Sequence, residues 1–331
     1  MNRQAFLSAR RLSARRWWIV VAVAVLVGVA LPFLVSSFWL RILTGLVMWL
    51  ALAQSWNMIG GYTGLISFGQ GAFFGIGAYV TALLIDRGWS FGFALIPAVV
   101  LAALVAALIG LPTLRLRGAY FAIATWAFAE FIRQAAYVLD ITGGSTGMRV
   151  RLIIDDRLIY YVMFASALLW LGIAWWLLES SPFGLRLRAI RDHDVAAEML
   201  GVPTTWLKTQ AFIISAAVAG IFGGIYGVWI TFLHPDNALS STVSDLMVVM
   251  TLLGGIGTFV GPLVGAPILY AIERTLWIVW SDNFGYLIVI GALIAVVVLF
   301  MPDGVAGLFA GRGPRWRPVE NLKRLANLVR S

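Results

Sequence analysis

GYTGLISFGQGAFFGIGAY, residues 61–79, sets a glycine-dense run carrying Gln70 and several hydroxyls inside an otherwise lipid-compatible sequence. Glycine costs about 1 kcal/mol per helix position relative to alanine, so a bare single-pass anchor gains nothing from so many. Helices that pack closely, break, or expose backbone to a water-filled path do gain. The stretch therefore reads as a moving part of a membrane protein.

Composition agrees. The chain has 331 residues, 61% hydrophobic and only 12% charged, with a mean hydropathy of +0.92, too apolar for a soluble core of ordinary surface polarity. It contains no cysteine, which removes disulfides, thiolate metal sites and cysteine nucleophiles. The net charge of +9 does not indicate a nucleic-acid partner. The basic residues gather at the termini and between apolar spans, as membrane topology requires.

The N-terminus, residues 1–16, carries Arg3, Arg10, Arg11, Arg15 and Arg16 without an acidic residue and precedes an apolar run from Trp17 to Val35. This reads as a start held in the cytoplasm, with an uncleaved first helix expected to follow. A signal peptide would have a shorter apolar core, of about 7–15 residues, and a small-x-small cleavage site, which Ser36-Ser37-Phe38 does not supply. Further spans of about 20 residues fall at 39–58, 62–85, 91–111, 118–139, 158–179, 209–232 and 284–301. Arg115 and Arg117 in loop 112–117, and Arg186, Arg188, Arg191 and Lys208 in 180–208, place both loops in the cytoplasm. The tail 302–331, with Arg312, Arg315, Arg317, Lys323, Arg324 and Arg330, belongs there too. The expected fold is an all-α polytopic transmembrane helix bundle, with a membrane domain over 17–301 and about 8–10 spans, some broken or re-entrant.

Parity singles out 245–272. A single crossing there would carry the basic tail outside. LLGGIGTFVGPLVGA, residues 252–266, places Gly254, Gly255, Gly257, Gly261 and Pro262 near its middle, where a helix breaks most readily. Two short helices or a re-entrant hairpin satisfy the topology. The alternative is one long tilted helix with a packing face of Gly257, Gly261 and Gly265. Similar four-residue spacings occur at Gly71 and Gly75, Gly220 and Gly224, and Gly223 and Gly227.

The longest polar segment is 180–208. Ser181-Pro182-Phe183-Gly184 ends a span, and LRLRAIRDHDVAAEML, residues 185–200, reads as a short cytoplasmic helix stopped by Gly201 and Pro203. Ile190, Ala197 and Leu200 share one face, leaving Arg186, Asp192 and Asp194 more exposed. A solvated linker helix has the same pattern. Within the spans, Gln54, Asn57, Ser67, Gln70 and Thr125 are candidate linings of a polar path, with Gln70 foremost; interhelical hydrogen bonding is the alternative for each. Glu130 and Arg133, at i,i+3 spacing, form either a proton- or substrate-coupling site or a neutralised structural pair with Arg133 reaching outward. His193 and His234 lack a second ligand at metal-binding spacing. Loops 140–157 and 234–244, with Gly143, Gly144 and Gly147, are candidate outer docking surfaces.

The segment Ala196, Ala197 and Gly201 resembles the coupling loop of ABC importer permeases, in which two alanines and a downstream glycine mark the helix that docks on the ATPase. Val195 stands where an acidic residue usually opens that motif, with Asp194 and Glu198 flanking it. Together with GYTGLISFGQGAFFGIGAY, LRLRGAYFAIATWAFAE (114–130) and LLGGIGTFVGPLVGA, the chain resembles the LivM-type permeases of branched-chain amino acid ABC importers from about Leu50 to Leu308. The resemblance implies an ATPase-coupling surface of Arg186, Arg188, Arg191, Asp192, Asp194, Ala196, Ala197, Glu198 and Gly201. It is consistent with a path past Asn57, Ser67, Gln70 and Thr125, and with packing or hinge roles for Gly71, Gly75, Gly254, Gly255, Gly257, Gly261 and Pro262.

It further implies half of a pore in a prokaryotic cytoplasmic (inner) membrane, with both termini cytoplasmic. The partners would be a homologous LivH-type permease, two ABC ATPase subunits and a periplasmic or extracellular substrate-binding protein. No G-x-x-x-x-G-K-[ST] phosphate loop occurs, so the chain is expected to be a transport subunit with no cofactor of its own, ATP-Mg residing on the ATPases. A urea or short-amide importer permease shares this plan. An ion-coupled secondary transporter would need more acids in mid-span than Glu130. A membrane enzyme would show clustered acids, histidines or a nucleophile at one face.

Overall fold

The computed structural model describes residues 25–116, 118–150 and 155–279, with isolated positions at 23, 291, 304 and 305. The basic N-terminus, the span at 284–301 and the basic tail lie outside the described residues. Helices dominate: α1 (Val25–Leu34), α2 (Ser37–Gly60), α3 (Gln70–Asp86), α4 (Phe91–Thr113), α5 (Ala119–Val138), α6 (Asp156–Trp175), α7 (Pro182–Asp192), α8 (Asp194–Met199), α9 (Thr204–Ile230), α10 (Pro235–Ala238), α11 (Ser241–Gly254) and α12 (Val260–Val279). Strands β1 (Met148–Arg149) and β2 (Phe232–Leu233) form one short antiparallel ladder. Among the described residues, five helical runs are long and apolar enough to cross a membrane: Ser37–Gly60, Phe91–Thr113, Asp156–Ser180, Thr204–Ile230 and Pro235–Gly254. This is the all-α polytopic bundle expected.

Helix α2 is the central strut. It packs against α6, α9, α11 and α12, and every residue from Ala51 to Gly60 is buried. Neighbouring side chains add second hydrogen bonds to its carbonyls. Trp170 Nε1 donates to Ala51 O at 3.1 Å, Thr251 Oγ1 to Ala53 O at 3.1 Å and Ser215 Oγ to Ser55 O at 2.8 Å. In lipid, where no water competes, such bonds hold helices together that hydrophobicity alone does not.

Small residues set the closest contacts. α4 turns Ala94, Ala98, Ala102, Ala106 and Gly110 inward and leaves Phe93, Ile96, Leu104 and Leu108 exposed, large side chains outward and small ones in, as helix association in lipid favours. α3 and α9 run in the same direction with backbones in contact. A Cβ at Gly77 would strike the Gly220 carbonyl, and one at Gly223 the Phe74 carbonyl.

Two stretches depart from simple spans. The span expected at 62–85 is helical only from Gln70; residues 61–69 are not helical. Gly64 takes a φ of +78°, which an uninterrupted helix cannot accommodate. At 245–272 the broken form is the one adopted: α11 ends at Gly254, Gly255 and Gly257 have φ of 125° and 73°, and α12 begins at Val260. Pro262 falls in the first turn of α12, where its missing N–H costs no intrahelical bond. The halves pack tightly, since Cβ atoms at Gly254 and Gly265 would strike the Gly261 and Met250 carbonyls.

Gly223→Leu should therefore force α3 and α9 apart, destabilising the protein by about 1–3 kcal/mol as overpacking does. Gly172→Ala, where nothing among the described residues lies within 4 Å, should leave stability unchanged or slightly raised. Size-exclusion profiles after graded heating in detergent check both, and equal heat resistance of Gly223→Leu and wild type would contradict the packing account.

Candidate functional site

Both helix breaks come together at the α7 end of the bundle. Asn57, near the C-terminus of α2, accepts the Gly257 N–H at its Oδ1 (2.9 Å) and donates from Nδ2 to Thr258 O (2.9 Å), clamping the α11–α12 turn. Trp56 Nε1 donates to Ser67 O at 2.7 Å, Thr125 Oγ1 accepts the Phe68 N–H at 3.1 Å, and Ser244 Oγ donates to Phe68 O at 2.7 Å. Ser244 also accepts the Gly71 N–H at 2.8 Å. Irregular backbone inside a packed bundle is tolerated only when protein groups or water satisfy it, and here protein groups do so.

α7 lies across these breaks. Ser181 Oγ accepts the Phe183 N–H at 3.1 Å and Pro182 occupies the first turn, a capped start after a π turn over Trp176–Ser180. Arg188 Nη2 pairs with Glu179 Oε1 at 2.6 Å, donates to Leu178 O at 3.1 Å, and its guanidinium stands 5.1 Å from the Tyr62 ring centre. The Tyr62 hydroxyl donates to the same Glu179 oxygen at 2.5 Å. Burial is the largest single influence on Arg188 and opposes its charge, yet the bond to Glu179 and the nearby negative charge outweigh it and hold its pKa above the ordinary value. Arg191 completes the junction, its chain against Gly64 and its guanidinium filling the space where a Gly257 side chain would be.

The polar segment is two helices rather than one. His193 is extended (φ −160°, ψ 96°), and Asp-His-Asp is weak helix-forming sequence. The break resets the face. Gly184, Leu187, Ile190 and Ala197 are buried, whereas Leu200, expected on the same face, is 85% exposed. Arg186, Asp192, Ala196 and Glu198 are exposed, and Asp194 pairs with Lys208 at 2.6 Å. α8 stops at Gly201: Val202 N bonds to Ala197 O at 3.1 Å and Gly201 N to Glu198 O at 2.9 Å, with Gly201 at φ +82°, a Schellman closure. Val195, Met199, Leu200 and Trp206 leave an exposed apolar surface around it. Two clefts flank α7, one of about 840 Å³ along Glu179, Arg188 and the 257–260 turn, the other of about 450 Å³ between Gly64, Arg115, Arg191 and Lys208.

The expected path residues are all fully buried within this chain. Asn57, Ser67 and Thr125 serve the helix breaks, Ser67 Oγ accepting the Gly69 N–H at 3.3 Å. Gln54 and Gln70 carry amide groups without a hydrogen-bond partner among the described residues. Gly71 and Gly75 pack on Ser240 and Leu239, at the start of α11. The Tyr62–Glu179–Arg188 cluster was not expected from the sequence; a lone acid ending an apolar run nine residues before an arginine was its only signal.

At the other end, Glu130 and Arg133 pair at 2.7 Å and Arg133 Nη1 reaches Asp236 Oδ1 at 2.9 Å. Gln134 donates to Glu130 at 2.7 Å and His234 Nδ1 accepts the Asp236 N–H at 3.3 Å. The neutralised pair thus extends to a third charge on α10. Among the described residues no cluster suited to a metal ion occurs.

The family model described as branched-chain amino acid transport system, permease component, matches residues 38–298. The chain belongs to that family. The permease is 29% identical to the high-affinity branched-chain amino acid transport system permease protein LivM of Salmonella typhimurium over 90% of this chain and 75% of the relative. It is equally similar to LivM of Escherichia coli, over 92% and 76%. A shorter likeness, 32% over 39% of each chain, connects it to the autoinducer 2 import system permease protein LsrC of Yersinia pestis. No solved structure matches the permease.

If the Glu179–Arg188 pair joins α7 to the 61–69 break, Glu179→Gln and Arg188→Ala should not act independently. A double-mutant cycle on thermal stability is expected to show a coupling of about 1 kcal/mol. Strict additivity would mean that the pair holds nothing together.

Proposed function

We propose that this permease forms half of the translocation path of an ATP-driven importer for leucine, isoleucine and valine, handed over by an external binding protein. Its relatives in Salmonella and Escherichia support the cargo. In this reading the α7–α8 end faces the cytoplasm, as do both termini, in a prokaryotic inner membrane. A LivH-type permease completes the path, and two ATPase subunits, which hold ATP-Mg, dock on α8.

The observation that carries the mechanism is the junction of an exposed surface with two helix breaks. Val195, Met199, Leu200 and Trp206 offer apolar side chains to a docking subunit, with Arg186, Arg191, Asp192 and Glu198 beside them. Behind that surface, Arg188 and Glu179 grip Tyr62, and Arg191 lies between the Gly64 and Gly257 turns. A push on α8 through a Gly201-closed helix moves α7, and with it both discontinuities. Bistable packed elements of this kind convert small displacements into a change of access.

Uptake of labelled leucine in cells lacking this chain should return on its restoration, be competed by isoleucine and valine, and vanish when the partner ATPase is disabled. Urea or acetamide uptake with leucine indifference would replace the cargo, and uptake that survives ATPase loss would replace the energy source. Met199→Asp with Leu200→Asp should reduce ATPase retention on the purified permease about tenfold or more, since each buried apolar side chain is worth roughly 1.5–3 kcal/mol. Full retention would move the docking surface elsewhere.

A further inference from the structure

Helix α8 is six residues long with Ala197 as its one buried residue, too little to hold its own place, and one ion pair does much of the fastening. Lys208 Nζ donates to Asp194 Oδ2 at 2.6 Å, tying the first residue of α8 to the first turns of α9. The Lys208 side chain is only 9% exposed and stands among the buried residues Thr204, Leu207 and Thr209 of α9, so its stem packs in the bundle while its ammonium reaches Asp194. Asp194 Oδ1 is shielded from solvent and makes no hydrogen bond among the described residues, which leaves Lys208 to balance the carboxylate. Parting these groups strands an ammonium where water scarcely reaches, and that costs far more than separating an exposed pair.

α7 and α9 are held to different parts of the bundle. Arg188 and Arg191 fix α7 to the helix breaks, whereas α9 runs unbroken for 27 residues and meets the backbone of α3 at Gly220, Gly223 and Gly227. Gly223 lies about 22 Å along the α9 axis from Lys208. Between α7 and α8, His193 is extended, so α8 can turn against α7 there. The cleft of about 450 Å³ lined by Gly64, Arg191, Asp194 and Lys208 leaves room for that turn.

We propose that Lys208 is a positioning residue for the transport cycle: through Asp194 it makes α9, and with α9 the glycine-packed α3, follow a displacement of α8. This rests on the reading above that ATPase subunits dock on α8, and it adds a second route beside the one through α7. A single extended residue such as His193, with two soft dihedrals, transmits a push poorly. A short ion pair whose ammonium is buried on a long helix transmits it well. α3 begins at Gln70, directly after the 61–69 break, and the Phe68 and Gly71 N–H groups are held there by Thr125 on α5 and Ser244 on α11. A shift of α3 with α9 therefore alters these bonds, and the break with them.

Lys208→Met keeps an unbranched apolar stem and removes the charge. In the assembled complex of two permeases, ATPases and binding protein in proteoliposomes, it should retain the ATPases and their basal hydrolysis. Leucine moved per ATP hydrolysed should fall about tenfold, within the usual range of coupling between distant sites. A purely structural pair would change heat resistance and leave that ratio alone, so an unchanged ratio overturns the inference. Hydrogen exchange in the wild-type complex needs no variant: ATP should change the protection of residues 68–74, and an α3 start indifferent to ATP overturns the inference equally. A wild-type permease that holds no ATPase, or that imports no branched-chain amino acid, overturns the underlying reading instead, and both outcomes show before any variant is made.

Discussion

Backbone amides and carbonyls that leave a helix inside a packed bundle must find partners in protein, and the described structure is organised around meeting that demand twice. The 61–69 segment and the 255–259 turn each leave backbone groups outside the helical pattern. Asn57 answers for the second with both ends of its amide, while Trp56, Thr125 and Ser244 answer for the first. All four residues sit on helices that abut the breaks, so the breaks exist only as part of the bundle. α2, which supplies Trp56 and Asn57, is correspondingly buried without a gap from Ala51 to Gly60. Its carbonyls are braced from three neighbouring helices.

The small residues follow from the same constraint. For α11 and α12 to fold back on each other within a few residues, their axes must nearly touch, and Gly254, Gly261 and Gly265 remove the side chains that would prevent it. The α3–α9 contact lets a helix that begins at Gln70, after the break, sit firmly against one that runs the length of the bundle. A short helix hung from a non-helical segment has few local restraints. Close backbone contact with a longer helix supplies them through dispersion, which in lipid carries much of the association.

Most of the spans were legible because hydropathy reports them directly, and Ser37–Gly60, Phe91–Thr113 and Asp156–Ser180 lie within a few residues of where apolar runs of about 20 place them. Residues 61–69 were not legible as a break, since their hydropathy is continuous with α3 and a φ of +78° at Gly64 leaves no trace beyond the glycine itself. The break at 255–259 was legible because charge parity demanded a fold-back and glycines with Pro262 offered a place. Leu200 was misplaced because a helical face was extended across His193, where the helix restarts. The Tyr62–Glu179 contact joins residues 117 apart, and no local pattern encodes such a meeting. The same holds for Asn57 and Gly257: the polar residue could be noticed, but not whether it faced water or a backbone.

That last ambiguity bears on how a polar path is to be sought in such a chain. Asn57, Ser67 and Thr125 looked like lining because they are polar in apolar surroundings, and each proves to be occupied by the backbone of a broken helix. A buried amide or hydroxyl with its bonds made has nothing left for a passing solute, whereas displacing those bonds would unmake the break. Charges behave otherwise. Glu130 and Arg133 neutralise each other yet remain partly exposed on an outward helix face, and an ion pair of that kind keeps unused donors and acceptors. In a permease held together by satisfied backbone, groups with capacity to spare are few, and among the described residues they include the buried amides of Gln54 and Gln70, which make no hydrogen bond, as well as the partly exposed charges of α5.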